Sequence, residues 1–80
     1  MDQKEFIGAL SEMVEMPPDE LSPATELADL ALWDSSAVIS FMAFCDERYG
    51  RLIRADRIPL CRTVGDLMEL AENSEPAAAE

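Results

Sequence analysis

The chain has 80 residues, which suits one small domain and is too short for a catalytic cleft walled on every side. Hydrophobic residues make up 49%, so a packed core is expected rather than disorder. Seventeen acids against six basic residues give a formal net charge of -11, which argues against nucleic acid and against an anionic membrane surface as partners.

The spacing predicts a first helix over residues 2–16, with Phe6, Leu10, Met13 and Val14 forming an apolar stripe and Pro17-Pro18 stopping it. A long loop follows, from about Pro17 to Trp33. It carries Leu21, Leu27, Leu30 and Trp33 among polar residues. So long a loop in a small domain is either functional or packed on the core by its own apolar residues, and a short helical turn fits residues 24–30.

A second long helix is expected to begin at Ser35, with Asp34 as its N-cap and Gly50 closing it. Val38, Phe41, Met42, Cys45, Tyr49 and Leu52 fall at helical spacing and are assigned to its core face. Ser36, Ala37, Ser40, Ala43, Phe44 and Glu47 are assigned to the opposite face. A short third helix or turn fits residues 55–58, closed by Pro59. The last helix has a capping-box start, Thr63-Val64-Gly65-Asp66, followed by Leu67, Met68 and Ala71 on an apolar face. No strand is predicted. From Ser74 to Glu80 nothing bulky is available to bury, and a disordered tail is expected.

Cys45 and Cys61 lack C-x-x-C spacing, and the chain contains no His to complete a zinc site, so no metal site is expected. Two free thiols in a reducing compartment follow, with Cys45 in the core. The N-terminus has no basic and apolar regions of signal-peptide type, and no apolar run approaches a membrane span. A cytoplasmic, monomeric protein is expected. Without His, the Ser-His and Cys-His nucleophile pairs are absent; with no metal motif or glycine-rich loop either, an enzyme is not expected.

The arginines are clustered. Residues 46–62 hold five Arg against three acids, while the remainder holds one Lys against fourteen acids. Solvated arginines paired with nearby acids explain this at little energetic consequence. The sharper alternative is a patch selecting a partner with an acidic rim.

The candidate site is Trp33-Asp34-Ser35-Ser36. An Asp-Ser pair at a loop-to-helix junction is ordinarily just a cap. A Ser in the first turn also sits beside unpaired N–H groups at the positive end of the helix dipole, where an attached anion gains roughly 0.3–1 kcal/mol. The order of segments then resembles the acyl carrier proteins: a helix, a loop with spaced leucines, Asp34-Ser35 opening the second helix, Asp46-Glu-Arg-Tyr49-Gly50 closing it, a short third helix, and Thr63-Val-Gly-Asp-Leu67. The resemblance covers about residues 5–72 and is nearest to stand-alone carriers whose site reads Trp-Asp-Ser-Leu. Two positions depart from that pattern: Leu32 stands where Gly is common, and Ser36 where an apolar residue that helps dock partner enzymes is usual.

The resemblance implies an all-α four-helix bundle of acyl-carrier type, with a long loop between helices 1 and 2 and a short third helix. Residues 1–73 would form the carrier domain and 74–80 the tail. It implies that a phosphopantetheinyl transferase moves 4′-phosphopantetheine from coenzyme A onto Ser35, using Mg²⁺, with Asp34 beside the site and Ser36 the competing hydroxyl. Acyl- or aminoacyl-loading enzymes and downstream biosynthetic enzymes would dock on the second helix at Ser36, Ile39, Ser40, Ala43, Phe44 and Glu47. For Phe44, packing inside the protein is the equal alternative. Trp33, Ser36 and the weakly acidic second helix point toward polyketide, non-ribosomal peptide or other specialised biosynthesis. The alternatives are a carrier of primary fatty acid synthesis, an unmodified carrier-like interaction module, and a small acidic helical regulator.

Overall fold

The computed structural model describes residues 2–76, and these are mostly helical. Helix α1 spans Gln3–Val14, and the Asp2 side chain caps it by accepting the Lys4 N–H at 3.0 Å. The helix ends before Pro17-Pro18. Glu15 turns into the left-handed region (φ 56°), and its N–H and that of Met16 both return to the Ser11 carbonyl. That closing turn, rather than the prolines, terminates α1 two residues earlier than the spacing predicts. Pro18 instead opens a 3-10 turn, Pro18–Glu20.

The long segment between α1 and the next helix is held at both sides. Leu21, Leu27 and Leu30 are buried, with Leu27 opening a second 3-10 turn, Leu27–Asp29. Burial of each such side chain is worth about 1.5–3 kcal/mol. Its backbone is pinned to the start of the last helix. The Leu27 N–H donates to the Arg62 carbonyl (2.9 Å), Val64 N–H to Thr25 (2.9 Å) and Gly65 N–H to Pro23 (2.8 Å).

Helix α2 spans Ser35–Tyr49 and closes on Gly50 at φ 62°, where a side chain would be strained. Phe41 and Cys45 are buried as expected, and Phe41 meets Phe6 of α1 edge-to-face at 5.7 Å. Two assignments of face are corrected. Ala37 is buried, not on the outer face, and Leu52 is 54% exposed, not in the core. Small and apolar residues occur around much of α2, so its periodicity is weak and packing against α1 sets the buried side. Glu5 joins the two helices further, bonded by the Arg48 guanidinium and by the Tyr49 hydroxyl at 3.3 Å.

A short extended pair follows, which the sequence did not suggest. Strand β1, Arg51–Leu52, pairs antiparallel with β2, Glu75–Pro76, and the Arg51 guanidinium donates to the Ser74 carbonyl at 2.9 Å. This pairing lies within the segment 74–80 expected as a tail, the rest of which lies outside the described residues. The predicted third helix is a 3-10 turn, Ala55–Leu60, which includes Pro59 and buries Ile58.

Helix α3 spans Val64–Glu72 and opens with the expected capping box. Thr63 accepts the Asp66 N–H (3.2 Å), while the Asp66 carboxylate accepts the N–H groups of Thr63 (3.1 Å) and Arg62 (2.9 Å). These hydrogen bonds hold the Asp66 carboxyl below its usual range. Val64, Leu67 and Ala71 are fully buried in the common core, and α3 packs on β1 and the Ala55–Leu60 turn.

Candidate functional site around Ser35

The site is the junction where the long loop enters α2. Trp33 is half-buried, and its ring meets Phe41 edge-to-face at 5.9 Å, so the last loop residue before the junction is fixed to the core of α2. The Trp33 N–H donates to the Leu30 carbonyl and the Asp34 N–H to the Leu32 carbonyl, each at 3.0 Å. Asp34 then takes an extended conformation (φ -124°, ψ -170°). Its carboxylate accepts the Ala37 N–H at 3.0 Å and its carbonyl the Val38 N–H at 2.9 Å. Asp34 is thus the N-cap the sequence predicts.

Ser35 and Ser36 occupy the first two positions of α2, and both are exposed. Neither hydroxyl makes a hydrogen bond among the described residues, and their two N–H groups are the first-turn donors left without an intrahelical acceptor. No acid lies within the first turn of α2 to occupy them. An exposed hydroxyl, two free N–H donors and the positive end of a 15-residue helix make this junction electrostatically favourable to an anionic group. Exposure alone does not separate the two hydroxyls; Ser35 differs in directly following the cap.

Of the predicted docking residues, Ile39 is 67% exposed, and Ser36, Ser40, Ala43 and Glu47 are exposed with it. Phe44 is not a free anchor. It is half-buried, edge-on to Phe6 at 6.4 Å and to Tyr49 at 5.3 Å, so its ring belongs to the α1–α2 contact. Leu32, three residues before Ser35, is 41% exposed, a second exposed apolar side chain near it in sequence besides Ile39. The signal for it was an apolar residue placed immediately before the half-buried Trp33.

The larger depressions lie elsewhere. One of about 720 Å³ lies along α1 beside Gly8, Glu12 and Met16, with Phe44 of α2 at its edge, and Ser35 lines neither it nor the two depressions of about 560 and 280 Å³ near the end of α3. Among the described residues no helix is long and apolar enough to cross a membrane, and no three His, Cys, Asp or Glu side chains converge as a metal site. Cys45 is buried, which pushes its thiol up to about 12; burial, then Asp66, also raises Cys61. No family model, curated protein or solved structure matches the chain.

Proposed function

We propose that this chain is a carrier protein that bears 4′-phosphopantetheine on Ser35 and transports acyl or aminoacyl groups between enzymes in a reducing cytoplasm. The observation that carries this reading is the exposed, unbonded Ser35 hydroxyl at the first position of α2, directly after a capping Asp34. The resemblance of segment order to acyl carrier proteins supplies the identity of the group. When attached, that group supplies a terminal thiol on a flexible arm, to which cargo is held as a thioester at high effective concentration for each partner.

The residues of the chain then divide the work. The Ser35 Oγ is the attachment atom. The N–H groups of Ser35 and Ser36 and the α2 dipole favour the negative charge there. Asp34 and Trp33 hold the junction in place, one by capping α2 and the other by packing on Phe41. Ser36, Ser40 and Ala43 present short side chains that let a partner approach the α2 backbone closely, while Leu32 and Ile39 offer apolar contact and Glu47 a charge. The chain carries and does not catalyse; the transferase, the loading enzyme and the downstream enzymes supply the chemistry. Polyketide, non-ribosomal peptide or related specialised biosynthesis suits the polar Ser36 better than primary fatty acid synthesis.

The test is intact mass after incubation with coenzyme A, Mg²⁺ and a promiscuous phosphopantetheinyl transferase. The expected result is a gain of one phosphopantetheinyl group, lost in Ser35→Ala and kept in Ser36→Ala. The reverse pattern moves the site to Ser36. No gain with several transferases favours an unmodified interaction module, the reading to which the exposed Ser36 lends weight.

A further inference from the structure

The depression along α1 is lined by charge of one sign. Glu5, Glu12 and Glu15 line it, and no basic side chain does. Glu5 is already bonded by the Arg48 guanidinium and the Tyr49 hydroxyl. Glu12 and Glu15 are exposed, and neither carboxylate has an ion-pair or hydrogen-bond partner among the described residues. Acids continue beyond the rim, with Asp19 and Glu20 in the 3-10 turn packed on α1 and Glu47 exposed three residues after Phe44. Between them the floor is apolar, made by the half-buried Ala9, Met16 and Phe44 and the exposed Pro18. The buried Ser11 adds no free polar group, because its hydroxyl donates to the Gly8 carbonyl at 2.6 Å.

Two residues of this face are unfavourable for the helix that carries them. Gly8 lies inside α1, and a Cβ built on it would meet nothing within 4 Å, so neither a positive φ nor a neighbouring segment requires glycine there. Ala would make the better helix. Glu15 closes α1 in the left-handed region (φ 56°), where glycine would be unstrained. The fold accounts for neither residue. A partner accounts for both: the absent side chain leaves α1 backbone within reach at Gly8, and the strained residue keeps a free carboxylate on the wall of the depression.

We propose that this depression is a docking site, separate from Ser35, for a basic amphipathic helix of a partner protein. Its leucine-like side chains meet Met16, Pro18 and Phe44, and its lysine or arginine side chains meet Glu12 and Glu15. Charge complementarity selects that occupant. Lys4 and the Glu5-bound Arg48 both stand at the start of α1, away from Glu12 and Glu15, so the acids of the wall are not answered from within the chain. An acidic segment is repelled, and a second copy offering the same face would bring acid against acid. The helical form of the occupant follows from Gly8, since two helices approach closely where a side chain is absent. Apolar contact carries the affinity, and the two carboxylates set the orientation.

The proposal is independent of any modification at Ser35. Its test uses the full, isotope-labelled chain and a synthetic helical peptide of about 12 residues, roughly three turns, with leucines on one face flanked by lysines. Two control peptides replace the lysines by glutamate or the leucines by serine. Amide resonances of Gly8, Ala9, Glu12, Met16 and Phe44 should shift with the first peptide. Both control peptides, the double variant Glu12→Gln with Glu15→Gln, and the variant Gly8→Gln should each weaken binding by about tenfold or more. Gly8→Gln should also unfold at a higher temperature than the parent, so that its lost binding is not a lost fold. Ser35→Ala should bind as the parent does. Shifts centred on α2 near Ser35, no shifts along α1, equal binding of the serine peptide, full binding by Gly8→Gln, or a lower unfolding temperature for that variant would each overturn it.

Discussion

The Asp34 carboxylate receives the Ala37 N–H at 3.0 Å, so the acid that precedes Ser35 is engaged in capping α2. Two roles for Asp34 therefore separate experimentally. Asp34→Ala should lower stability by about 1 kcal/mol, and Asp34→Asn, a competent cap, should restore it. If the acid also acts when Ser35 is modified, Asp34→Asn will fold normally yet take up the arm slowly. Equal modification rates for Asn and Asp would confine Asp34 to capping. Thermal unfolding together with timed intact-mass measurement reads both.

A side chain at Gly65 would be tightly confined. A Cβ there would stand 3.0 Å from the Pro23 carbonyl oxygen, the atom that accepts the Gly65 N–H. Gly→Ala within a helix ordinarily gains about 1 kcal/mol. Here the gain requires the Pro23 turn to withdraw, loosening the bonds that pin the loop to α3. Gly65→Ala should therefore lower the unfolding temperature, and hydrogen exchange should quicken at Val64 and Leu27. A rise in unfolding temperature would show that the loop yields without cost.

Tyr49 is the only tyrosine, so its titration is unambiguous. Burial first, then the Glu5 carboxylate it bonds, pushes its phenol from 10.0 up to about 12. The folded value exceeds the unfolded one, so the stabilisation is complete below pH 10 and is lost as pH rises toward about 12. An ultraviolet difference titration of the native protein should show the phenol ionising together with alkaline unfolding. Tyr49→Phe should flatten part of the stability loss in that window; Cys45, raised from 9.0 to about 12 by burial, and Cys61, also raised, contribute to the remainder.

Both native thiols are suppressed by their surroundings. Cys45 is fully buried, and Cys61 is half-buried and raised by burial and by Asp66. At neutral pH an alkylating reagent should label Cys45 only at the rate of global unfolding and Cys61 slowly. A modified protein should then show one additional, fast-reacting thiol that Ser35→Ala removes. Fast labelling of Cys45 in the native state would mean that the α1–α2 core opens readily.

Much of the helical frame was legible because its signals are local. Asp34, Gly50, Thr63 and Asp66 act on backbone groups within a few residues, and each takes the expected role. The end of α1 was not legible. Glu15 in the left-handed region is unusual for a residue with a Cβ, and nothing in its neighbourhood announces it before Pro17. Facing within α2 was legible only in part. Phe41 and Cys45 lie where spacing puts them, but Ala37 is buried too, and Phe44 turns inward onto Phe6 of α1.

At the site the same division holds. The local sequence alone determined that a hydroxyl follows a cap at the start of a long helix, because caps are read from residues three apart. Only the tertiary structure decided that Trp33 anchors this junction on Phe41, that Leu32 and Ile39 are left exposed, and that Phe44 is drawn into the α1–α2 contact. It alone decided, too, which arginine has no ion-pair or hydrogen-bond partner among the described residues. Arg48 and Arg62 meet acids 43 and 36 residues away, the β1–β2 pair joins residues more than twenty apart, and Arg57 is what those distant pairings leave over. Contacts between segments far apart in the chain form only when the core has closed, and no spacing rule reaches across them.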